Sequence, residues 1–149
     1  MHGADSFAYV VNCEELPDFS IREQTITPEY FIPDYTLYYL TTTNENEAHY
    51  LCAIINSPFI HMAVKPFQPR GQYGKRDIGR LNLKLPIPKY NNGDTEHKKL
   101  VELSKKCHDI VKNISFSKEG FRARRNVVKK EIQGEYKEIN EIVSDLIQS

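Results

Sequence analysis

Residues 44–57 read NENEAHYLCAIINS, and this stretch decides the fold. Asn44 is followed three residues later by Glu47, which predicts a capping box at the start of a helix. The apolar residues that follow recur at spacings of three and four, which is typical of one buried helical stripe: Ala48, Leu51, Cys52 and Ile55. The spacing therefore predicts a helix of about three turns.

A second short helix is predicted directly after the first. Ser57 is a good N-cap, Pro58 suits the first helical position, and Pro66 ends the helix. Its predicted apolar face consists of Phe59, Ile60, Met62 and Ala63. The two helices together form the short helix pair of residues 44–65.

The chain before this pair is typical of β-structure. Residues 7–11 and 35–43 are rich in aromatic and β-branched side chains, so we predict at least two strands within residues 1–43. Prolines interrupt the segment between them, which predicts extended chain, turns and at most a short strand there.

The chain after the pair changes character twice. Residues 66–92 combine glycines, prolines and cations, which predicts a basic loop followed by an edge strand or extended segment at residues 83–88. Residues 94–149 contain two amphipathic helices joined by a short connection, which predicts an antiparallel helical hairpin. Gly134 lies inside the second helix and favours a bend or break there.

These elements predict a single α+β domain over residues 1–149. It would consist of a small N-terminal β-sheet, the short helix pair, the basic loop and the C-terminal antiparallel helical hairpin. The chain of 149 residues is 40% hydrophobic and 27% charged, which suits an ordinary globular core. No stretch approaches the roughly 18 consecutive apolar residues of a membrane span, and the N-terminus lacks a signal-peptide pattern. We therefore expect a cytoplasmic protein with no membrane partner.

The net charge of zero hides a segregation of charge along the chain. Residues 1–64 carry nine acidic side chains against Arg22 alone, which gives −8. Residues 65–90 carry seven basic side chains against Asp77 alone, which gives +6. A compact basic segment in an otherwise balanced chain indicates contact with phosphates on one face only.

The basic segment carries the residue types that a nucleic-acid contact requires. Lysine and arginine neutralise phosphates, while arginine can bind guanine and glutamine can bind adenine in a major groove. The predicted DNA-binding residues are Lys65, Arg70, Gln72, Tyr73, Lys75, Arg76 and Arg80. From the residues alone, a solvated loop whose charges pair with the acidic first half is an equal alternative. The cations at residues 122–130 are a weaker signal, because glutamates interrupt them and an exposed helix face explains them.

Catalytic chemistry finds little support in the sequence. Residues 71–76 lack the spacing of a P-loop, and no dinucleotide-binding glycine motif follows a predicted strand. His49 and Cys52 have a helical spacing that could bind a metal, but no second ligand pair accompanies them. We therefore expect Cys52 to face the core with His49 at its margin. The chain alone is predicted to be no enzyme, with no metal site and no cofactor of its own.

The order of these elements resembles a known family. The segment around LCAIINS (residues 51–57), the basic glycine segment RGQYGKRDI (70–78) and LPIP (85–88), followed by an amphipathic helix, resemble a bacterial DNA-recognition module. This module is the TaqI-like C-terminal specificity domain of adenine-N6 DNA methyltransferases from restriction-modification systems. The resemblance covers residues 35–115 and extends more loosely to the specificity subunits of type I systems.

The resemblance implies a target-recognition domain that reads duplex DNA for a methyltransferase catalytic domain or subunit. That partner would use S-adenosylmethionine, whose glycine motif and catalytic Asn/Asp-Pro-Pro-aromatic motif are not in this sequence. The resemblance also implies that Leu85 and Ile87 are structural core residues. Two other classes stay open: a protein-interaction module that uses the C-terminal helices with an incidental basic loop, and a nucleic-acid enzyme completed by residues of another chain.

Overall fold

The computed structural model describes residues 8–13, 16–33, 38–68, 70–71, 74–75, 84–116 and 120–148. Within these residues the protein has an α+β fold with five α-helices and two small antiparallel hairpins. The chain divides into two compact units. The hairpin unit is Val10–Thr41, and the helical unit comprises Met1–Tyr9 and Thr42–Ser149.

Helix α1 spans Glu45–Asn56 and begins where the sequence predicts. The Asn44 side chain accepts hydrogen bonds from the amides of Asn46 (3.1 Å) and Glu47 (3.3 Å). The predicted capping box would also have Glu47 accept directly from the Asn44 amide, and the structure differs here. The Asn44 amide donates to Thr42 Oγ1 (3.1 Å), and the Thr42 hydroxyl donates to Glu47 Oε2 (2.7 Å). The threonine hydroxyl therefore relays the contact that a capping box makes directly.

Helix α2 spans Pro58–Val64 and is followed by a 3₁₀ turn at Lys65–Phe67. Ser57 caps α2 by accepting from the Ile60 amide (3.2 Å), as predicted. The buried side chains of α2 are Ile60 and Val64, one helical turn apart. Met62 lies on the opposite face and is exposed, so its predicted place on the apolar face is wrong.

The core of the helical unit lies between α1, α3 (Thr95–Lys112) and α5 (Gln133–Gln148). The side chains that fill it are Tyr50, Ala53, Ile54, Ile60, Val64, Leu100, Val101, Leu103, Ile139 and Val143. Every helix of this core shows the three- and four-residue spacing that its sequence contains. The stripe predicted for α1 is wrong, because Tyr50, Ala53 and Ile54 face the core. Of the predicted stripe only Cys52 is buried, and the other three residues are only partly buried: Ala48, Leu51 and Ile55.

The C-terminal region forms three helices. Helix α4 spans Phe121–Glu131, and Ile132 separates it from α5, two residues before the predicted weak point at Gly134. Helices α3 and α5 are antiparallel, because Lys99 pairs with Glu138 (3.1 Å) and Lys106 with the earlier Glu135 (2.9 Å). The predicted antiparallel hairpin is thus made by α3 and α5.

The strands differ in position from the prediction. Strands β1 (Phe19–Ile21) and β2 (Gln24–Ile26) form an antiparallel hairpin in the segment expected to be mostly turns. Residues 8–11 and 38–43 contain no strand, and residues 7 and 34–37 lie outside the described part of the chain. Propensity alone misplaced these strands, because a strand needs a pairing partner and a surface to cover.

Candidate nucleic-acid interface

The candidate interface begins at the end of α2, which is fixed to the helical core. The Phe59 amide donates to Asn140 Oδ1 on α5 (2.8 Å), and Val64 is fully buried. The 3₁₀ turn then exposes Lys65, and Phe67 is 71% exposed. Met62, at 58% exposure, extends this apolar and basic surface on α2. Sequence reasoning missed Phe67 and Met62, although the spacing of Ile60 and Val64 already points Met62 away from the core.

Gln68 closes the 3₁₀ turn and lies buried. Its amide donates to the Lys65 carbonyl (3.4 Å), but its side-chain Oε1 is buried with no hydrogen-bond partner among the described residues. A buried polar atom without a partner costs stability, since it loses its hydrogen bonds to water. Gln68 is therefore an unsatisfied buried group two residues before the β3–β4 hairpin of the basic segment.

The basic segment contains a short hairpin, so the prediction of an irregular loop throughout is wrong. Strands β3 (Arg70–Gly71) and β4 (Gly74–Lys75) pair antiparallel. In their register Arg70 stands directly opposite Lys75, and Gly71 opposite Gly74. Two residues connect the strands, which is the commonest hairpin loop length. Two basic residues thus occupy one cross-strand pair of this hairpin.

The far end of the basic segment is fixed to the same core. Leu85 and Ile87 pack against the core as partly buried side chains, in agreement with their expected structural role. The buried Tyr50 hydroxyl donates to the Pro88 carbonyl (2.9 Å). The imidazole of His97 lies 3.5 Å from the same hydroxyl and accepts from the Asn91 amide (3.0 Å) through Nδ1. The helical scaffold therefore holds both ends of the segment, which is how functional loops are commonly positioned.

The structure places only part of the predicted DNA-binding set. Lys65 is exposed, and the backbone of Arg70 and Lys75 is paired in the β3–β4 hairpin. The remaining four residues lie outside the described part of the chain: Gln72, Tyr73, Arg76 and Arg80. The hairpin brings Arg70 and Lys75 together, and Lys65 precedes Arg70 by five residues.

A second basic surface lies on α4. Arg122, Arg124 and Lys130 are exposed, and the Arg124 guanidinium lies 5.9 Å from the centroid of the exposed Phe116 ring. A cation at this distance over an aromatic face is attracted by its quadrupole. This helix carries five cations against Glu131, as an exposed basic face would.

The residues considered for metal or nucleophilic chemistry form a packed polar cluster between α1 and α3. His49 Nδ1 lies 3.1 Å from Ser104 Oγ, and the His108 ring meets the His49 ring edge-on at 4.9 Å. Burial, together with the nearby His108 and Lys105, lowers the pKa of His49 to about 4. His49 is thus a buried residue with a specific partner, and its predicted place at the margin of the core is wrong.

The thiols near this cluster are protonated. Burial raises the pKa of Cys52 to about 11 and that of Cys107 to about 11. Cys52 is buried, as predicted, and donates to the Ala8 carbonyl (3.3 Å). Since the thiolate is the reactive form, these cysteines are packing residues at neutral pH. Over the described ranges, no group of three or more histidine, cysteine or acidic side chains could hold a metal ion.

Comparisons of this chain with protein-family models, curated proteins and solved structures each found no match. Within the part of the chain that the structure describes, no helix is long and apolar enough to cross a membrane. A function for the chain therefore has to be argued from its own residues and their arrangement.

Proposed function

We propose that this chain binds duplex DNA sequence-specifically, as the target-recognition part of a restriction-modification adenine-N6 DNA methyltransferase. The observation that carries the proposal is the β3–β4 hairpin, in which Arg70 stands opposite Lys75. This hairpin lies within a segment of +6 net charge whose two ends are anchored to the helical core.

The dimensions of a hairpin support a role in reading DNA. The major groove of B-DNA admits a two-stranded β-ribbon, whose residues then reach the base edges. The Arg70–Lys75 pair places two positive charges across one narrow ladder, where repulsion is relieved by a phosphate or by the acceptor atoms of guanine. Gly71 and Gly74 carry no side chain beyond a hydrogen, so the backbone at the second pair can approach the duplex closely.

The remaining residues of the candidate surface would contact different parts of the DNA according to their side-chain chemistry. Lys65, exposed at the start of the segment, suits a phosphate contact that positions the protein on the duplex. Arg76, Arg80 and Gln72 carry the donors and acceptors that read bases, and Tyr73 offers a ring for stacking. In this proposal S-adenosylmethionine and the reacting adenine belong to the methyltransferase catalytic domain or subunit, and this chain holds neither.

The test compares duplex binding of matched triple variants. Fluorescence anisotropy with a labelled random duplex at low salt would measure the wild-type chain beside Arg70→Ala/Lys75→Ala/Arg76→Ala. The matched control removes as many cations from α3 and α5, with Lys98→Ala/Lys112→Ala/Lys137→Ala. We expect the first variant to bind at least about tenfold more weakly and the control within about twofold of wild type, because contacted phosphates dominate affinity. Equal binding by both variants would contradict the proposal.

Sequence specificity needs a second readout. Duplexes selected from a random pool by the wild-type chain should share a short motif, and they should outcompete the unselected pool. A selected pool that binds no better than the starting pool would reduce the proposal to non-specific DNA binding.

A further inference from the structure

The hairpin unit exposes an unusual number of large apolar side chains. Nine of them are more than a third exposed: Phe19, Ile21, Ile26, Tyr30, Phe31, Ile32, Tyr38, Tyr39 and Leu40. Scattered exposed apolar residues are normal on a monomer, but contiguous patches beyond a few hundred Å² mark an interaction surface. Within residues 10–13, 16–33 and 38–41, no residue is buried.

The β1–β2 hairpin gathers three of these side chains on one face. Phe19 pairs directly with Ile26 across the ladder, and Ile21 lies two residues along the same strand. Since side chains alternate between faces, these three share one face, while the Ser20–Thr25 pair occupies the other. Their exposures are 48% for Phe19, 55% for Ile21 and 37% for Ile26. The hairpin is therefore amphipathic, and its apolar face is exposed among the described residues of this unit.

The exposed apolar residues are numerous enough for a stable interface. In total, nine large side chains of the hairpin unit, on average more than half exposed, present roughly 1,000 Å² of surface, and a standard interface takes about 800 Å² from each partner. Three of the nine share the apolar face of the β1–β2 hairpin. A two-stranded hairpin is at best marginally stable in water, so a covering partner would also stabilise the hairpin itself.

Charge decides which partner fits this surface. Residues 10–41 carry six acidic side chains against Arg22, which gives −5. Two such surfaces repel one another, which disfavours pairing through the same unit, and phosphates are repelled as well. The partner surface must combine positive charge with apolar or aromatic groups.

Helix α4 and Phe116, which lies N-terminal to it, supply that combination within this same sequence. Residues 121–131 carry five cations against Glu131, which gives +4, nearly equal and opposite to the hairpin unit. Arg122, Arg124 and Lys130 are exposed, and Phe116 adds an exposed ring beside Arg124. No described side chain of α4 is buried, so the helix lies on the surface of the helical unit along its length.

We propose that the hairpin unit of one copy docks on α4 of a second copy, and that the second copy returns the same contact. Each copy offers one acidic apolar surface and one basic aromatic surface. When each hairpin unit docks on α4 of the other copy, the two contacts are equivalent and the result is a two-fold symmetric dimer. Both surfaces of both copies are then covered. Attraction between −5 and +4 selects the partner, and burial of the apolar side chains supplies most of the affinity.

A charge-swap experiment tests this arrangement. The first variant reverses the hairpin unit with Asp18→Lys/Glu23→Lys/Glu29→Lys, and the second reverses the helix with Arg122→Glu/Arg124→Glu/Lys130→Glu. Either variant alone brings like charges together at both contacts, so its dimer dissociation constant should rise at least about tenfold. An equimolar mixture of the two restores opposite charges at both contacts and should form a heterodimer. Sedimentation velocity measures the mass in all three samples.

The controls separate the proposed surfaces from other modes of association. A matched reversal on α3 and α5, Glu102→Lys/Asp109→Lys/Asp145→Lys, should leave the wild-type dimer intact. Circular dichroism checks that each variant keeps its helices. Should a reversed variant unfold, Phe19→Ser/Ile21→Ser/Ile26→Ser tests the same face, because these exposed side chains contribute nothing to the helical core.

Each outcome decides the proposal. A wild-type dimer that weakens as salt rises, is lost in either variant and returns in the mixture would support it. A wild-type chain that stays monomeric at micromolar concentrations would overturn it. Self-association that survives in the helix-reversed variant would also overturn it, since the hairpin units would then pair without α4.

Discussion

The buried His49 predicts that the protein loses stability in mild acid. His49 sits between α1 and α3 with Ser104 Oγ at 3.1 Å, and its pKa is lowered from 6.5 to about 4. The groups that face it have mixed charge: His108 and Lys105 disfavour the imidazolium, while Glu45 and Asp109 favour it. Burial is the largest cause, so the folded state holds this imidazole neutral.

The sign and size of the effect follow from linkage. The unfolded chain binds a proton at His49 near pH 6.5, whereas the folded chain binds it only near pH 4. The stabilisation is therefore fully present above pH 6.5 and is lost as the pH falls towards 4. A shift of this size corresponds to at most about 3 kcal/mol of unfolding free energy, at about 1.4 kcal/mol per pKa unit.

Urea unfolding at intervals between pH 7.5 and pH 4 would measure this loss. His49→Gln keeps a polar group that can reach Ser104 but cannot titrate. Between pH 7.5 and pH 4, the unfolding free energy of this variant should therefore fall by about 2–3 kcal/mol less than that of wild type. The carboxyl pKa values of Asp94 and Glu135 are lowered, so these groups also lose stabilisation in acid. Their contribution is the same in wild type and in His49→Gln, so it cancels when the two unfolding free energies are subtracted. Parallel curves for wild type and His49→Gln would refute the reasoning.

Three further substitutions test the scaffold, each by urea unfolding at pH 7.5. Tyr50→Phe removes the hydroxyl that donates to the Pro88 carbonyl and should cost about 1–3 kcal/mol, because that partly buried carbonyl loses its partner; a change below about 0.5 kcal/mol would show that water replaces it. Asn44→Ala removes the N-cap of α1 and should cost about 1 kcal/mol, with no loss expected for Asn44→Asp. Gln68→Met removes the unpartnered Oε1 and should raise stability by about 1 kcal/mol; a destabilised variant would mean that this oxygen has a partner in solution.

Local signals in the sequence predicted the helices well. Asn44 and Ser57 act as N-caps through bonds to amides two or three residues away, and Pro58 stands at the first helical position. Such contacts are set by the neighbouring residues alone. The apolar stripes of α3 and α5 were equally readable from their helical periodicity. The stripe of α1 was assigned to the wrong side, because residues 50–55 are all apolar and the spacing alone does not say which of them face the core.

Contacts between distant residues could not be read from the sequence. His49 meets Ser104 across 55 residues, and Phe59 meets Asn140 across 81, so neither partner is visible locally. Residues 38–43 have the composition of a strand but form none, because strand formation depends on pairing that composition does not specify. The β3–β4 hairpin was missed for the same reason, although two glycines separated by two residues in a basic segment are compatible with a tight turn.

The position of the candidate interface along the chain was predictable from the sequence, but the arrangement of its residues was not. The charge excess of residues 65–90 located it, and the pairing of Arg70 with Lys75 came only from the structure. Exposed Phe67 carries no sequence signal of its own, since an aromatic residue after a helix is as often buried as exposed.

The salt dependence of duplex binding by the unmodified chain tests the central claim most directly. Five cations lie between Lys65 and Arg80, and each phosphate contact contributes about 0.9 to the slope of log affinity against log salt concentration. Anisotropy titrations with a labelled duplex at several salt concentrations should therefore give a slope of about −3 to −5. A chain that binds no duplex at low salt, or binds with a slope near zero, would contradict the account.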